Sequence, residues 1–250
     1  MPLLLWMPPA LAAALLAVST GFSAADLFSQ GNGAGRRRVA SFLAGSAAGL
    51  LFVFLGMRGF PTATGMDVLS WAALGAAGVH LAFLRVRALG VFLLPVAAAC
   101  AAAAPLAGER PWGAAGSAQV PWMMFHGIAA LLGQAAFALA FASGALYLVQ
   151  HRRLKADPTR SGLLPSLEVL DRLNLLGLIA ALSCWTASLL AAFLHTVTWS
   201  PLVLFSGAVW ALLAGVTGVR LAAALRGPKV AALSVTAFLM SLLLLLVGHP

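Results

Sequence analysis

Apolar residues recur along this chain in eight long runs separated by short polar connections, at about Leu3–Phe22, Val39–Met57, Asp67–Leu84, Ala88–Ala107, Val120–Gln150, Leu173–Leu194, Pro201–Leu221 and Val230–Val247. Each run is ~18 to 30 residues long, against the ~20 that carry a helix across a hydrocarbon core. No period-two alternation interrupts them. The pattern predicts an all-α, polytopic transmembrane helix bundle of about eight spans, forming a single integral membrane domain over residues 1–250. Pro95, Pro105, Pro121 and Pro201 fall inside or at the ends of these runs, where a missing N–H is tolerated at a first turn and kinks a helix further in. Gly45 with Gly49, Gly75 with Gly78, and Gly207 with Gly215 and Gly218 supply small residues at which helix backbones could approach closely.

The polar connections alternate in charge. Arg36, Arg37, Arg38, Arg85, Arg87, Arg152, Arg153, Lys155, Arg160, Arg172, Arg220, Arg226 and Lys229 share one side, and only Arg58 and Arg110 lie on the other. Thirteen basic residues against two give a strong orientation under the positive-inside rule, with both termini external. The N-terminal run imitates a signal peptide, but no Lys or Arg precedes Arg36, so it is expected to remain as an uncleaved first helix. Between the fifth and sixth runs, LPSLEVLDRLN (Leu164 to Asn174) carries Pro165 as a breaker, Ser166 as a cap and Glu168 in the first turn. Leu167, Leu170 and Leu173 recur there at helical spacing, which predicts a short piece lying on the inner membrane surface.

Composition agrees with a membrane setting: 62% of the residues are hydrophobic, 8% are charged and the mean hydropathy is +1.00. That leaves too little polar surface for a water-soluble core of this size. The net charge of +9 sits in clusters between apolar runs, so its partner is the lipid bilayer and its anionic headgroups, with no nucleic acid. Cys100 and Cys184 each lie inside an apolar run, outside any CxxC or CxxCH arrangement, and read as small core residues.

Candidate chemistry is sparse. Asp26, Asp67, Glu109, Asp157, Glu168 and Asp171 all fall in connections or at helix ends. An ion-coupled transporter needs titratable groups within the membrane. A small-molecule transporter for an apolar or zwitterionic substrate therefore ranks third among the readings. No paired carboxylates, nucleophile elbow, phosphate loop or HExxH motif points to an enzyme. The histidines remain. His126, His195 and His249 map to helix ends on the external side, His80 and His151 to the inner side. One interfacial histidine is ordinarily a residue bonded to water or backbone. Three on one face could hold a heme iron, for which neutral imidazole is a common ligand. Trp6, Trp71, Trp112, Trp122 and Trp199 map to that same face, as a one-sided aromatic belt. Arg58 and Arg110 could pair with heme propionates or simply snorkel to the interface.

From Val120 onward the chain resembles the cytochrome c assembly family of heme-handling membrane proteins, in particular its HemX-like branch of eight-span inner-membrane proteins. The resemblance rests on a His-initiated helix ending in LYLVQHRRLK (Leu146 to Lys155), on LPSLEVLDRLN, and on the basic turn RGPK (Arg226 to Lys229) before the last run. The first four runs match in number, length and orientation. The resemblance implies a non-enzymatic, multi-pass protein of the bacterial cytoplasmic membrane that assists cytochrome c biogenesis alongside other membrane proteins of that system. Its cofactor would be heme, bound by His126 and His249. In the family a tryptophan-rich turn ending in Trp-Asp-Pro presents heme. Here that turn is HTVTWSP, which keeps Trp199 and Pro201, places Ser200 where the acid stands and offers His195 as an alternative ligand. Some HemX-like proteins are instead linked to control of glutamyl-tRNA reductase in tetrapyrrole synthesis. That alternative would work through the inner segment His151 to Arg172.

Overall fold

The computed structural model describes residues 2–28, 34–58, 64–84, 86–107, 121–157, 164–193, 201–222 and 227–247, and among them it is all helical. In chain order the helices are α1 (Pro2–Phe28), α2 (Ala34–Arg58), α3 (Gly65–Ala82), a 3₁₀ turn (Arg87–Leu89), α4 (Gly90–Ala107), α5 (Pro121–Ala156), α6 (Leu167–Phe193), α7 (Pro201–Ala222) and α8 (Pro228–Val247). Four of them are long and apolar enough to cross a membrane, over Met7–Leu27, Gly35–Arg58, Phe125–Ala156 and Leu167–Phe193. Shorter apolar stretches occupy Leu69–Ala82, Gly90–Leu106, Ser206–Ala222 and Pro228–Leu242.

Local chemistry accounts for the helix boundaries. α1, α5, α7 and α8 each begin on a proline, whose missing N–H is among the donors a first turn leaves unpaired anyway. Gly227, just before Pro228, has φ +94°, a left-handed backbone that disfavours any side chain and turns the chain into α8. Thr64 and Asp67 form a reciprocal capping box at the start of α3. At α6 the Ser166 hydroxyl accepts from the Val169 N–H at 3.3 Å, and Glu168 lies in the first turn. The leucine-spaced segment from Leu167 is not a separate surface piece, however. It forms the opening turns of one continuous 27-residue helix, because neither Gly nor Pro separates it from Asn174.

The chain divides into two compact units, Met1–Val120 and Pro121–Pro250. In the first, α1 to α4 enclose a core made largely of alanine, including Ala44, Ala47, Ala73, Ala77, Ala97 and Ala101, with Leu16, Leu51 and Leu94 filling between them. In the second, α5 and α6 run antiparallel in close contact, and α8 lies against α5 through Phe238. Its ring meets Phe137 edge-on at 5.3 Å and stacks on Phe141 at 4.7 Å.

Close approach between helices is absent at six of the seven glycines the spacing suggests, among the described residues. Gly45, Gly49, Gly78, Gly207, Gly215 and Gly218 have no neighbouring group within 4 Å of where a Cβ would stand among the described residues. In a core this rich in alanine, contact between small residues does not require glycine. Gly177 is different. A Cβ there would lie 2.7 Å from Ala140 N and 2.8 Å from Ala136 O, so α5 backbone rests directly on it.

Gly177→Ala should therefore separate α5 from α6 and destabilise the protein by about 1–3 kcal/mol. Gly215→Ala should be neutral or slightly stabilising, since it gains helix propensity without a clash. Thermal unfolding midpoints of the two variants in the same detergent check this; equal midpoints would contradict the assigned contact.

Candidate functional site

The α5–α6 pair carries two polar constellations, one near each end of α6. Its antiparallel register sets His126 against Ser188, Gly133 against Trp185, and Ala140 against Gly177 and Asn174.

At the first constellation, His126 Nδ1 lies 2.8 Å from the Ser188 carbonyl oxygen and 2.9 Å from the Ser188 hydroxyl oxygen. The same hydroxyl donates to the His126 carbonyl at 3.1 Å. A carbonyl can only accept, so the proton of the neutral ring belongs on Nδ1 and Nε2 carries the lone pair. Histidines that bind metals are commonly prepared in this way, with the far nitrogen donating to a backbone carbonyl that fixes tautomer and ring orientation. The residues at this end thus suit an axial imidazole ligand. Beside it, Gly133 makes room for the Trp185 indole, which a Cβ would meet at 2.6 Å. The buried Gln134 amide and Trp185 Nε1 have no hydrogen-bond partner among the described residues.

The second constellation ties three helices to α5. Asn174 Nδ2 donates to the Ala140 carbonyl at 2.7 Å, and Asn174 Oδ1 accepts from both Arg220 Nη1 and the Ser234 hydroxyl. Arg220 Nη2 also donates to the Asp171 backbone carbonyl at 2.7 Å and pairs with its carboxylate at 2.9 Å. The arginine side chain is only 4% exposed and the aspartate side chain 23%. One guanidinium therefore joins α6 and α7, and through Asn174 it reaches α5 and α8. A buried, hydrogen-bonded charge of this kind specifies geometry more than it adds stability.

The remaining candidates are distributed as follows. Trp122 belongs to the first turn of α5. Arg58, in the first unit, donates from Nε to Asp67 Oδ1 at 2.6 Å and approaches the Thr64 hydroxyl at 3.5 Å, so its charge already serves the α3 cap. His195, Trp199, His249 and Arg110 lie outside the described residues. No group of three or more His, Cys, Asp or Glu side chains assembles a metal site among the described residues.

Sequence reasoning missed Ser188 and Asn174. Asn174 had a signal, being one of only two asparagines in the chain and opening an apolar run. Ser188 had none, because its decisive acceptor is a main-chain oxygen that any residue supplies.

Arg220→Met should destabilise by about 3 kcal/mol, since it strands the Asp171 carboxylate and removes one of the two donors to the Asn174 side-chain carbonyl. Arg172→Ala breaks only the exposed pair with Glu168, at 78% and 72% exposure, and should change stability by less than about 0.5 kcal/mol. Detergent-resistance or thermal-shift curves on both variants check the contrast.

No family model, curated protein or solved structure matches the chain.

Proposed function

We propose that this protein is an eight-span heme-handling protein of the bacterial cytoplasmic membrane, without enzymatic activity, that assists cytochrome c biogenesis. The observation supporting this most directly is the His126 ring, whose Nδ1–H is directed at the Ser188 carbonyl so that Nε2 is left with its lone pair. The proposal is confined to the second unit. His126 serves as one axial ligand, His249 or His195 as the other, and Trp122 and Trp199 supply aromatic surface. Heme would bring an iron that takes imidazole nitrogen and a flat ring that takes aromatic walls. The protein's part is to hold the His126 ring in one tautomer and one orientation, which α6 does through main chain and hydroxyl together. The four long apolar helices and the thirteen-to-two division of basic residues support a membrane position with both termini external.

Purified in mild detergent and supplied with heme, the wild-type protein should show a Soret band, and His126→Ala should lose about tenfold or more of it. Ser188→Ala should weaken binding less, because the main-chain acceptor survives. Absence of a band in both wild type and His126→Ala would overturn the reading. A reporter fused after residue 250 should be active only on the external side; a cytoplasmic C-terminus would remove His249 from the face that His126 is assigned to.

A further inference from the structure

A second polar site lies within the first unit and shares no residue with the site around His126. Where α1 and α3 end and α2 begins, Ser23, Asp26, Arg37, Arg38, Ser41 and His80 line a pocket of about 410 Å³. His80 is 5% exposed, yet neither of its ring nitrogens has a hydrogen-bond partner among the described residues. Its ring is held by packing instead. A Cβ on Gly90 would stand 2.6 Å from His80 Cε1 and 2.9 Å from Nδ1, so the first residue of α4 must be this small for the imidazole to sit where it does.

Donors outnumber acceptors around the pocket. Arg37 Nε lies 3.5 Å from Asp26 Oδ2, an ion-pair distance, but is itself buried without a hydrogen-bond partner among the described residues. Arg36 is turned aside, its Nη1 donating to the Ala25 carbonyl at 3.3 Å. Arg38 is exposed at the pocket's edge. Two guanidinium groups against one carboxylate leave a net positive charge, and the imidazole N–H and two serine hydroxyls add neutral donors. A ligand that satisfies this set carries negative charge and several acceptor oxygens arranged around one centre.

We propose that the pocket binds a phosphate group, with Arg37, Arg38 and His80 as its donors. Arginine is suited to phosphate oxygens, and basic pockets between membrane helices are where anionic headgroups are held. The surroundings favour a lipid as the source. Leu84, which lines the pocket, is 43% exposed, and Val39 and Phe42, next in sequence to the lining residues Arg38, Ala40 and Ser41 on α2, are exposed as well, so apolar side chains that acyl chains can cover accompany the polar end. A free phosphate ester has the same headgroup chemistry and makes no use of those side chains. This assignment does not depend on the heme reading, which concerns the other unit.

The test uses the full chain in mild detergent, read by native mass spectrometry against dioleoylphosphatidylglycerol, dioleoylphosphatidylcholine and glycerol 3-phosphate. Wild type should retain the glycerol lipid in preference to the choline lipid, and His80→Ala and Arg37→Ala should each weaken that retention about tenfold. Gly90→Ala keeps every donor but displaces the imidazole, and should weaken it as well; this variant serves if His80→Ala does not fold. Lys229→Ala, an exposed cation in the other unit, should leave retention unchanged. Competition by glycerol 3-phosphate that matches the lipid identifies a free ester as the ligand, while its failure to compete identifies the headgroup. Two results overturn the proposal: wild type showing neither a preference for the glycerol lipid nor binding of the ester, or Lys229→Ala weakening retention as much as the three pocket variants do.

Discussion

A charge within an apolar helical bundle has to be answered by another charge, because removing it from water uncompensated is far costlier than any single packing contact can offset. Among the described residues three such answers each join consecutive helices. Asp26 on α1 meets Arg37 on α2, Arg58 on α2 meets Asp67 on α3, and Asp171 on α6 meets Arg220 on α7. All three stand near helix ends, where the backbone's own unpaired groups are also concentrated. Arg36 exploits this by donating to the Ala25 carbonyl in the last turn of α1. An alanine-rich core offers little distinctive shape, so these pairs are what set one helix against the next in a defined register.

The same logic links the two polar ends of the α5–α6 pair. At one end Asn174 and Arg220 fix how far α6 has slid along α5; at the other, His126 meets Ser188 only if that register is kept. Between them Gly177 lets the two backbones touch. The orientation of the histidine is thus maintained by contacts many residues away, and the Ser188 carbonyl acts as its reference point.

Much of the helical framework was legible from hydropathy alone, since runs of that length and apolarity have few structural alternatives. The cap at Ser166 and the acid at Glu168 were legible too, because capping is local chemistry. Inward-facing positions were not. On a helix that is apolar all round, hydropathy does not distinguish the face turned to a neighbour from the face turned to lipid, and so Gly45, Gly49 and Gly215 looked as suitable for close contact as Gly177. Nor could the sequence show that His80 packs beside Arg37 with no hydrogen-bond partner for its ring among the described residues, since that depends on helix ends meeting. Of the residues proposed to hold heme, only His126 has a described side chain, and it is held in a manner that suits a ligand.

The 36 residues of α5 extend for about 54 Å as a single helix, with no proline beyond the first position. Mechanically it is a strut longer than the hydrocarbon layer is thick. Its hydrogen bonding is not uniform along its length. At Ser143–Gly144 the serine hydroxyl bonds back to the Leu139 and Ala140 carbonyls, and the Ala140 carbonyl is also drawn sideways by the Asn174 amide. The arginine-centred clamp therefore grips α5 through the same Ala140 carbonyl that Ser143 uses, at a point between the basic end at Arg152, Arg153 and Lys155 and His126.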